Sequence, residues 1–165
     1  MLFEDTDFPA SDSALYYKGN SQSGDVGQIV WRRPQELVES PVLLPADGDL
    51  CVQDVVQGRL GDCWFLCACA AIAPHRQLMQ RVAESFNSSI PPTTEALHVL
   101  TEVHQKTWGD QEYEGKFCFV FWKFGTWTEV TVDDRLPCRD GRLLYSRCAN
   151  KRHFWLPLME KAYAK

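Results

Sequence analysis

One unbroken apolar segment limits what this chain can fold into. Residues 63 to 73 read CWFLCACAAIA, with strong helix formers throughout and no Gly or Pro until Pro74. A helix that is apolar on every side is typical of a protein interior. The segment therefore predicts a fully buried helix that begins at Cys63, with Asp62 in the position of an N-cap.

The stretch QGRLGD, residues 57 to 62, leads into this helix and contains two glycines. Gly58 and Gly61 can form a tight turn and let the backbone come close to another group. Cys63 then lies in the first helical turn, where unpaired N–H groups and the helix dipole stabilise a negative charge. The local sequence thus favours a thiolate at Cys63.

A nucleophilic cysteine also needs donors for the oxyanion that forms during acyl transfer. The backbone N–H at the helix start and the side-chain amide of Gln57 are suitably placed. Free cysteine is nevertheless among the most buried residue types and usually behaves as a small hydrophobe. We interpret Cys67, Cys69 and Cys118 as buried hydrophobes of this kind. For Cys63, spacing alone does not decide between a nucleophile and a buried thiol.

Composition excludes several classes of protein. Seventeen Lys and Arg against 22 Asp and Glu give a net charge of -5, and no basic stripe interleaves with aromatic residues, so we expect no nucleic-acid partner. The N-terminus lacks the pattern of a signal peptide, and no apolar run reaches the ~20 residues of an integral membrane segment. The seven irregularly spaced cysteines predict free thiols and no zinc cluster. We expect one compact domain in the cytoplasm.

The segments before and after the central helix differ in character. Residues 1 to 50 are rich in Pro, Ser, Asp and Gly, which predicts a wrapping segment whose extended part ends at Arg33, before Pro34. Residues 84 to 112 have the composition of a surface insertion. The order of this insertion is left open by the sequence.

Three further elements are predicted after residue 115. The runs FCFVFWKF and TWTEVTVDD indicate a β-hairpin that turns around Gly125. A short strand at Arg142 to Tyr145 follows the turn formed by Asp140 and Gly141. FWLPLMEKAYAK indicates a helix with Pro157 in its first turn and a buried stripe. That stripe comprises Leu158, Met159, Ala162 and Tyr163. Because the sequence ends inside this helix without a cap, we expect that more protein follows.

Several of these stretches together resemble a known family. QGRLGDCWFL resembles the nucleophile motif of the calpains, which are papain-like cysteine endopeptidases. WKFGTWTEVTVDDRLPCRDGRLLYSR and FWLPLMEKAYAK are similar to the next blocks of that family, in the same order. Three stretches, WRRPQEL, WGDQEYEG and FWLPLMEKAYAK, are most similar to an atypical member that lacks the EF-hand module. The resemblance covers residues 28–165, which it marks as the first half of a protease core, and leaves 1–27 as an N-terminal wrapping or anchor segment.

The resemblance implies a fold and a mechanism. The fold is α+β, a papain-like N-terminal subdomain with a buried central helix that starts at the nucleophile and a small antiparallel sheet. Cys63 is the implied nucleophile and Gln57 the implied oxyanion-hole side chain. The implied activity is limited cleavage of intracellular proteins through a thioester, so the expected partners are protein substrates and the second half of the core.

The same resemblance implies that this chain is inactive by itself. In calpains the catalytic His and Asn belong to the second half of the core. The four histidines here lie outside the family's histidine motif, and we interpret each of them as a surface or loop residue. They are His75, His98, His104 and His153.

Calcium binding is left open by the sequence. Conventional members bind calcium in this half partly through an Asp three residues before the Gln, which Asp54 matches, and a Glu just before the FW pair. His153 occupies the Glu position, and imidazole is a poor ligand for this cation. Asp47 and Asp49 add acids to the preceding loop. Asp54 is therefore the candidate calcium ligand, whereas we interpret the acids of VDDRLP, residues 133 and 134, as structural turn and capping residues.

Two alternatives to an enzyme remain. The first is a truncated, non-catalytic isoform that acts as an interaction or regulatory module, since the chain ends early and lacks the family histidine. The second is a redox-sensing thiol at Cys63. Asp62 opposes a thiolate there, and no resolving cysteine is evident outside the buried helix, so this alternative is the weaker.

Overall fold

The computed structural model describes residues 1–16, 28–45, 50–75, 77–79, 108–109 and 111–165. Two of the α-helices are Cys63–Ile72 (α1) and Trp155–Ala164 (α2). The strands are β1 Val30–Arg32, β2 Val55–Val56, β3 Lys116–Lys123, β4 Thr126–Asp133, β5 Leu136–Arg139, β6 Arg142–Leu143 and β7 Arg147–Cys148. They form small antiparallel sheets in the orders β1-β5-β6, β2-β7 and β3-β4. The α+β class is confirmed, with several small sheets in place of the single one expected.

The β3–β4 hairpin forms where the sequence predicts it. Its register runs from Lys116 opposite Asp133 to Lys123 opposite Thr126. Phe124 and Gly125 link the strands with φ values of 51° and 81°, which is the left-handed geometry of a tight hairpin turn. Asp140 and Gly141 repeat this geometry, with φ values of 51° and 72°, between β5 and β6.

Two predicted strand ends can be compared with the structure. β1 ends at Arg32, and Arg33 stays extended, with ψ 151°, before a short 3₁₀ turn begins at Pro34. The restriction that proline places on its preceding residue is thus confirmed. β6 ends at Leu143, which makes it two residues shorter than the strand predicted there.

Helix α2 provides the centre of the hydrophobic core. Trp155, Leu156 and Leu158 are completely buried, and Pro157 occupies the first turn as predicted. Tyr163 was predicted to be buried, but it is 49% exposed. Its ring lies at the edge of the core, where it packs against Trp64 and Phe65 of α1.

Helix α1 is only half buried, so the prediction of a fully buried helix is wrong. Phe65, Leu66 and Cys69 point into the core. The opposite face is exposed along its whole length. That face comprises Cys63, Trp64, Cys67, Ala68 and Ala71. The prediction that Cys67 is a buried hydrophobe is therefore also wrong, whereas Cys69 and Cys118 are buried as predicted.

Asp133 is a completely buried carboxylate that joins distant parts of the chain. It accepts hydrogen bonds from Lys161 Nζ at 2.6 Å, from Arg135 Nη2 at 2.7 Å and from the backbone N–H of Asp5 at 2.9 Å. Burial alone would raise the pKa of Asp133, but the hydrogen bonds from Arg135 and the charge of Lys161 hold it below its usual value. This carboxylate therefore stabilises the fold as an anion.

Asp134 makes a second buried network. Its carboxylate pairs with the Arg33 guanidinium and accepts hydrogen bonds from Tyr113 Oη and from Trp108 Nε1, the latter at 3.0 Å. Because Arg33 Nη2 also donates to the carbonyl of Phe3 at 3.0 Å, the network joins the N-terminal segment to β4. Asp133 and Asp134 therefore have the structural role predicted for them. They fulfil it mainly through ion pairs with residues that are distant in the sequence.

The structure also bears on the predictions about membrane helices, cysteines and the insertion. Within the described ranges, no helix is long and apolar enough to cross a membrane. The seven cysteines are free thiols. Residues 84 to 107 of the proposed insertion, and the acids Asp47 and Asp49, lie outside the described residues. The division at residue 27 stays a prediction.

Candidate active site

Cys63 is the first residue of α1, and its side chain is exposed. The helix begins when the carbonyl of Asp62 accepts the N–H groups of Phe65 at 2.9 Å and Leu66 at 3.1 Å. The thiol therefore lies beside the first turn, whose N–H groups lack helical partners. This is the position that the sequence predicts for the nucleophile.

The loop of residues 57 to 62 is fixed against the β6–β7 connection. The N–H of Arg59 donates to the carbonyl of Leu144 at 3.2 Å. A Cβ on Gly58 would lie 2.0 Å from the carbonyl oxygen of Tyr145, a distance that only glycine avoids. The predicted close approach is confirmed for Gly58, whereas a Cβ on Gly61 would meet no atom within 4 Å.

Gln57 lies at the start of this loop, and Cys63 lies just after its end. The Gln57 side chain is exposed, and its Nε2 donates to the carbonyl of Leu60 at 3.0 Å. This hydrogen bond holds the amide over the loop that leads to Cys63 and uses one of its two N–H donors. The role of Gln57 in an oxyanion hole stays a prediction.

Among the described residues, Asp54 and His153 do not by themselves make a calcium site. The Asp54 carboxylate accepts the N–H of Cys51 at 2.7 Å, as part of a capping turn. His153 presents a ring nitrogen 3.2 Å from Asn150 Nδ2, and a hard cation prefers six or more oxygen ligands. Among the described residues, no group of three or more His, Cys, Asp or Glu could hold a metal ion. Calcium binding at Asp54 stays a prediction.

Two of the four histidines lie in the described part of the chain, and neither is in the first turn of α1. His75 is exposed and follows the C-terminal end of the helix, opposite the end that carries Cys63. His153 lies in an isolated bridge with Val42. His98 and His104 are outside the described residues.

Trp64 forms an aromatic edge next to the thiol. It is 60% exposed, and its ring meets the rings of Tyr163 at 5.4 Å and Phe65 at 6.0 Å in edge-on contacts. A large aromatic side chain with so much exposed surface is available for contact with another surface.

Glu160 is a residue near the site that the sequence reasoning missed. Asp62 makes no side-chain capping bond, and Glu160 of α2 is only 6% exposed. Burial, followed by the carboxyl of Asp62, raises the pKa of Glu160 to about 8, while Oε2 of Glu160 accepts the N–H of Ser146 at 3.0 Å. The available signal was its position, four residues after the buried Leu156 and hence on the same helix face.

Comparisons with known proteins identify the family of this chain. The sequence profile described as "Calpain family cysteine protease" matches residues 3–165. Calpain-10 of Macaca fascicularis and calpain-10 of Rattus norvegicus are each 47% identical over 165 residues, which is 99% of this chain. Calpain-5 of Mus musculus is 39% identical over 168 residues and 100% of this chain.

The alignments also give the extent of the similarity. This chain covers 22% of each of the two calpain-10 relatives and 23% of calpain-5, so it spans about a fifth of their length. The greater identity to calpain-10 agrees with the stretches that are most similar to atypical members of the family. The chain belongs to the calpain family of cysteine proteases.

Proposed function

We propose that this chain is the nucleophile half of a calpain-type cysteine endopeptidase core. The observation that carries the proposal is the exposed thiol of Cys63 at the first residue of α1. That position exposes the thiol to a substrate and places it beside unpaired backbone donors. The expected substrates are proteins of the cytoplasm, cut at a limited number of sites.

The chemistry assigned to Cys63 is acyl transfer. The thiolate attacks the carbonyl carbon of a peptide bond, and the carbonyl oxygen becomes an oxyanion that the Cys63 N–H and the Gln57 amide stabilise. The C–N bond then breaks, the amine leaves with a proton, and a thioester remains on the sulfur. Water hydrolyses the thioester, which releases the acid and regenerates the thiol.

The proton for the leaving amine has to come from a general acid, which we assign to a histidine in the second half of the core. The exposed face of α1 supports the presence of such a second half, because it is a continuous apolar surface that starts at Cys63 and includes Trp64 and Cys67. This chain covers only 22% of the calpain-10 relatives. The rest of such a protein is long enough to contain a second half that covers that face. Alone, the chain is expected not to turn over peptides.

Complementation tests this proposal. The chain is mixed with the segment that follows the matched region in the Macaca fascicularis relative, and cleavage of a fluorogenic peptide is measured. We expect cleavage only in the mixture, with loss in Cys63→Ser and retention in Cys51→Ser, which removes another exposed thiol. Cleavage that survives Cys63→Ser, or a mixture that binds without cleaving, would refute the enzymatic assignment.

A non-catalytic interaction module is the second candidate. The same exposed face of α1 favours it, because an apolar helix face can bind a partner whether or not chemistry follows. Stable binding of the second half, with no cleavage and no difference between Cys63→Ser and the unchanged chain, would identify this module.

A further inference from the structure

Four arginines line one cavity that begins at Gln57. Arg59, Arg139, Arg142 and Arg147 are part of its wall together with that glutamine, and its volume is about 480 Å³. The whole sequence carries a net charge of -5, so this concentration of positive charge is a local feature. A cavity lined by one sign of charge attracts ions of the opposite sign.

Two of these arginines face each other across a strand pair. Arg139 of β5 lies directly opposite Arg142 of β6, and like charges in that arrangement destabilise a sheet. Arg139 is only 8% exposed, so water and salt screen its charge less than that of a fully exposed residue. The described lining contains one acid, Asp140, which neutralises at most one of the four positive charges. An anion in the cavity would therefore reduce the repulsion between the guanidinium groups.

The other two arginines connect the cavity to the loop that leads to the nucleophile. Arg147 of β7 lies opposite Val56 of β2, and Val56 directly precedes Gln57. Arg59 follows two residues later, in the loop before Cys63. The cavity is therefore next to the residue proposed to stabilise the oxyanion, whereas the described lining does not include Cys63 itself.

A second cavity adjoins the first and has a volume of about 620 Å³. The two share Arg142, Leu143 and Arg147 in their walls. The second cavity adds the ammonium of Lys151 and the apolar side chain of Val38. We call the two cavities together the basic groove. It offers positive charge along its length and apolar contacts in its second part.

We infer that the basic groove binds an acidic segment of the protein substrate, close to the bond that is cleaved. Arg142 and Arg147 are exposed and line both cavities, and a guanidinium binds a carboxylate through two parallel hydrogen bonds. A peptide fits better than a nucleic acid, because the described lining has no exposed Phe, Tyr or Trp on which a base could stack. Only the word substrate rests on the proposed function, since binding of an acidic peptide can be measured without any cleavage.

Fluorescence anisotropy with the 165-residue chain tests the binding. The probes are a short labelled peptide in which Glu alternates with Ala, the same peptide with Gln in place of Glu, and a labelled oligothymidylate. We expect the Glu peptide to bind about tenfold more tightly than the Gln peptide, with an affinity that decreases as salt is added. Equal affinities for the two peptides would overturn the inference, and tighter binding of the oligothymidylate would overturn the choice of a peptide.

Substitutions then locate the binding in the groove. Arg142→Gln should weaken binding of the Glu peptide about tenfold, and Arg142→Lys, which keeps the charge but loses the paired hydrogen bonds, about threefold. Lys123→Gln removes a positive charge from an exposed position outside the groove and should stay within about twofold of the unchanged chain. The same loss in Lys123→Gln as in Arg142→Gln would show that the peptide binds through general charge attraction and would refute the groove.

Cleavage by the complemented core separates this inference from the proposed function. Fluorogenic peptides with Glu on one side or the other of the cleaved bond are compared with their Gln counterparts. We expect one Glu series to have the higher kcat/KM, and Arg142→Gln to raise KM for that series with kcat unchanged. If no peptide is cleaved but the Glu peptide still binds selectively, the proposed function fails and the anion-binding groove stands. If both series are cleaved like their Gln counterparts, the proposed function stands and the inference about the substrate fails.

Discussion

Gly58 lies so close to the backbone of Tyr145 that a Cβ at position 58 would be 2.0 Å from the Tyr145 carbonyl oxygen and 2.5 Å from its Cα. The obstacle is backbone, which cannot rotate away as a side chain does. The loop that leads from Gln57 to Cys63 is therefore shaped by this contact.

Gly58→Ala should destabilise the fold because the loop must move to make room for the added methyl group. We expect the free energy of unfolding to fall by about 1–3 kcal/mol, measured by denaturant unfolding. Gly61→Ala is the matched control, since its Cβ would meet open space, and its effect should stay within about 0.5 kcal/mol. Equal effects of the two variants would contradict the close contact.

Stability should decrease as the pH rises from about 4.5 to about 8, because of Glu160. Its pKa in the folded chain lies above the unfolded value, so the folded state binds more protons in this window and loses stability as they leave. We expect the thermal midpoint to fall by at least ~3 °C over this range. In Glu160→Gln this fall should be smaller, and an unchanged pH dependence in that variant would contradict the assignment.

Gln57→Ala should slow peptide cleavage by the complemented core. Loss of one oxyanion donor costs about 100-fold to 1000-fold in kcat, with little change in KM. Gln35→Ala removes the same side chain at another exposed position and should leave kcat unchanged. If Gln57→Ala has the activity of Gln35→Ala, then Gln57 is not the second donor.

Calcium should not stabilise this chain, because His153 stands where an acidic ligand is expected and imidazole is a poor ligand for this cation. We expect the same thermal midpoint in millimolar calcium and in excess chelator. Asp54→Asn, which keeps an acceptor for the Cys51 N–H, should show no difference between these conditions either. A midpoint that rises with calcium in the unchanged chain, but not in Asp54→Asn, would identify Asp54 as a ligand.

The backbone geometry at glycine turns and prolines was predictable from the sequence. Gly125 and the Asp140–Gly141 pair mark turns that need positive φ, and both turns form with such values. Pro34 and Pro157 fix the backbone near themselves, and each lies where its own geometry requires. Gly58 could be identified as a site of close approach, although its partner Tyr145, 87 residues away in the sequence, could not.

Long-range relationships were not predictable from the sequence. The sequence of an apolar helix does not show whether its own chain buries one face or both. The exposure of Cys67 was therefore missed. Lys161 and Glu160 belong to types that are usually exposed, and both are buried, with Lys161 bound to Asp133 and Glu160 bound to the N–H of Ser146. β5 was missed because it is short and contains a proline.

The central claim is that Cys63 is a nucleophile, and alkylation tests it most directly. Iodoacetamide labelling at neutral pH, mapped by mass spectrometry, is compared at Cys63 and Cys51, two exposed thiols of the same chain. It is repeated after addition of the second half of the core. We expect Cys63 to react faster than Cys51 and faster still in the mixture, in step with peptide cleavage. Labelling of Cys63 no faster than Cys51, with and without the second half, would contradict its role as the nucleophile.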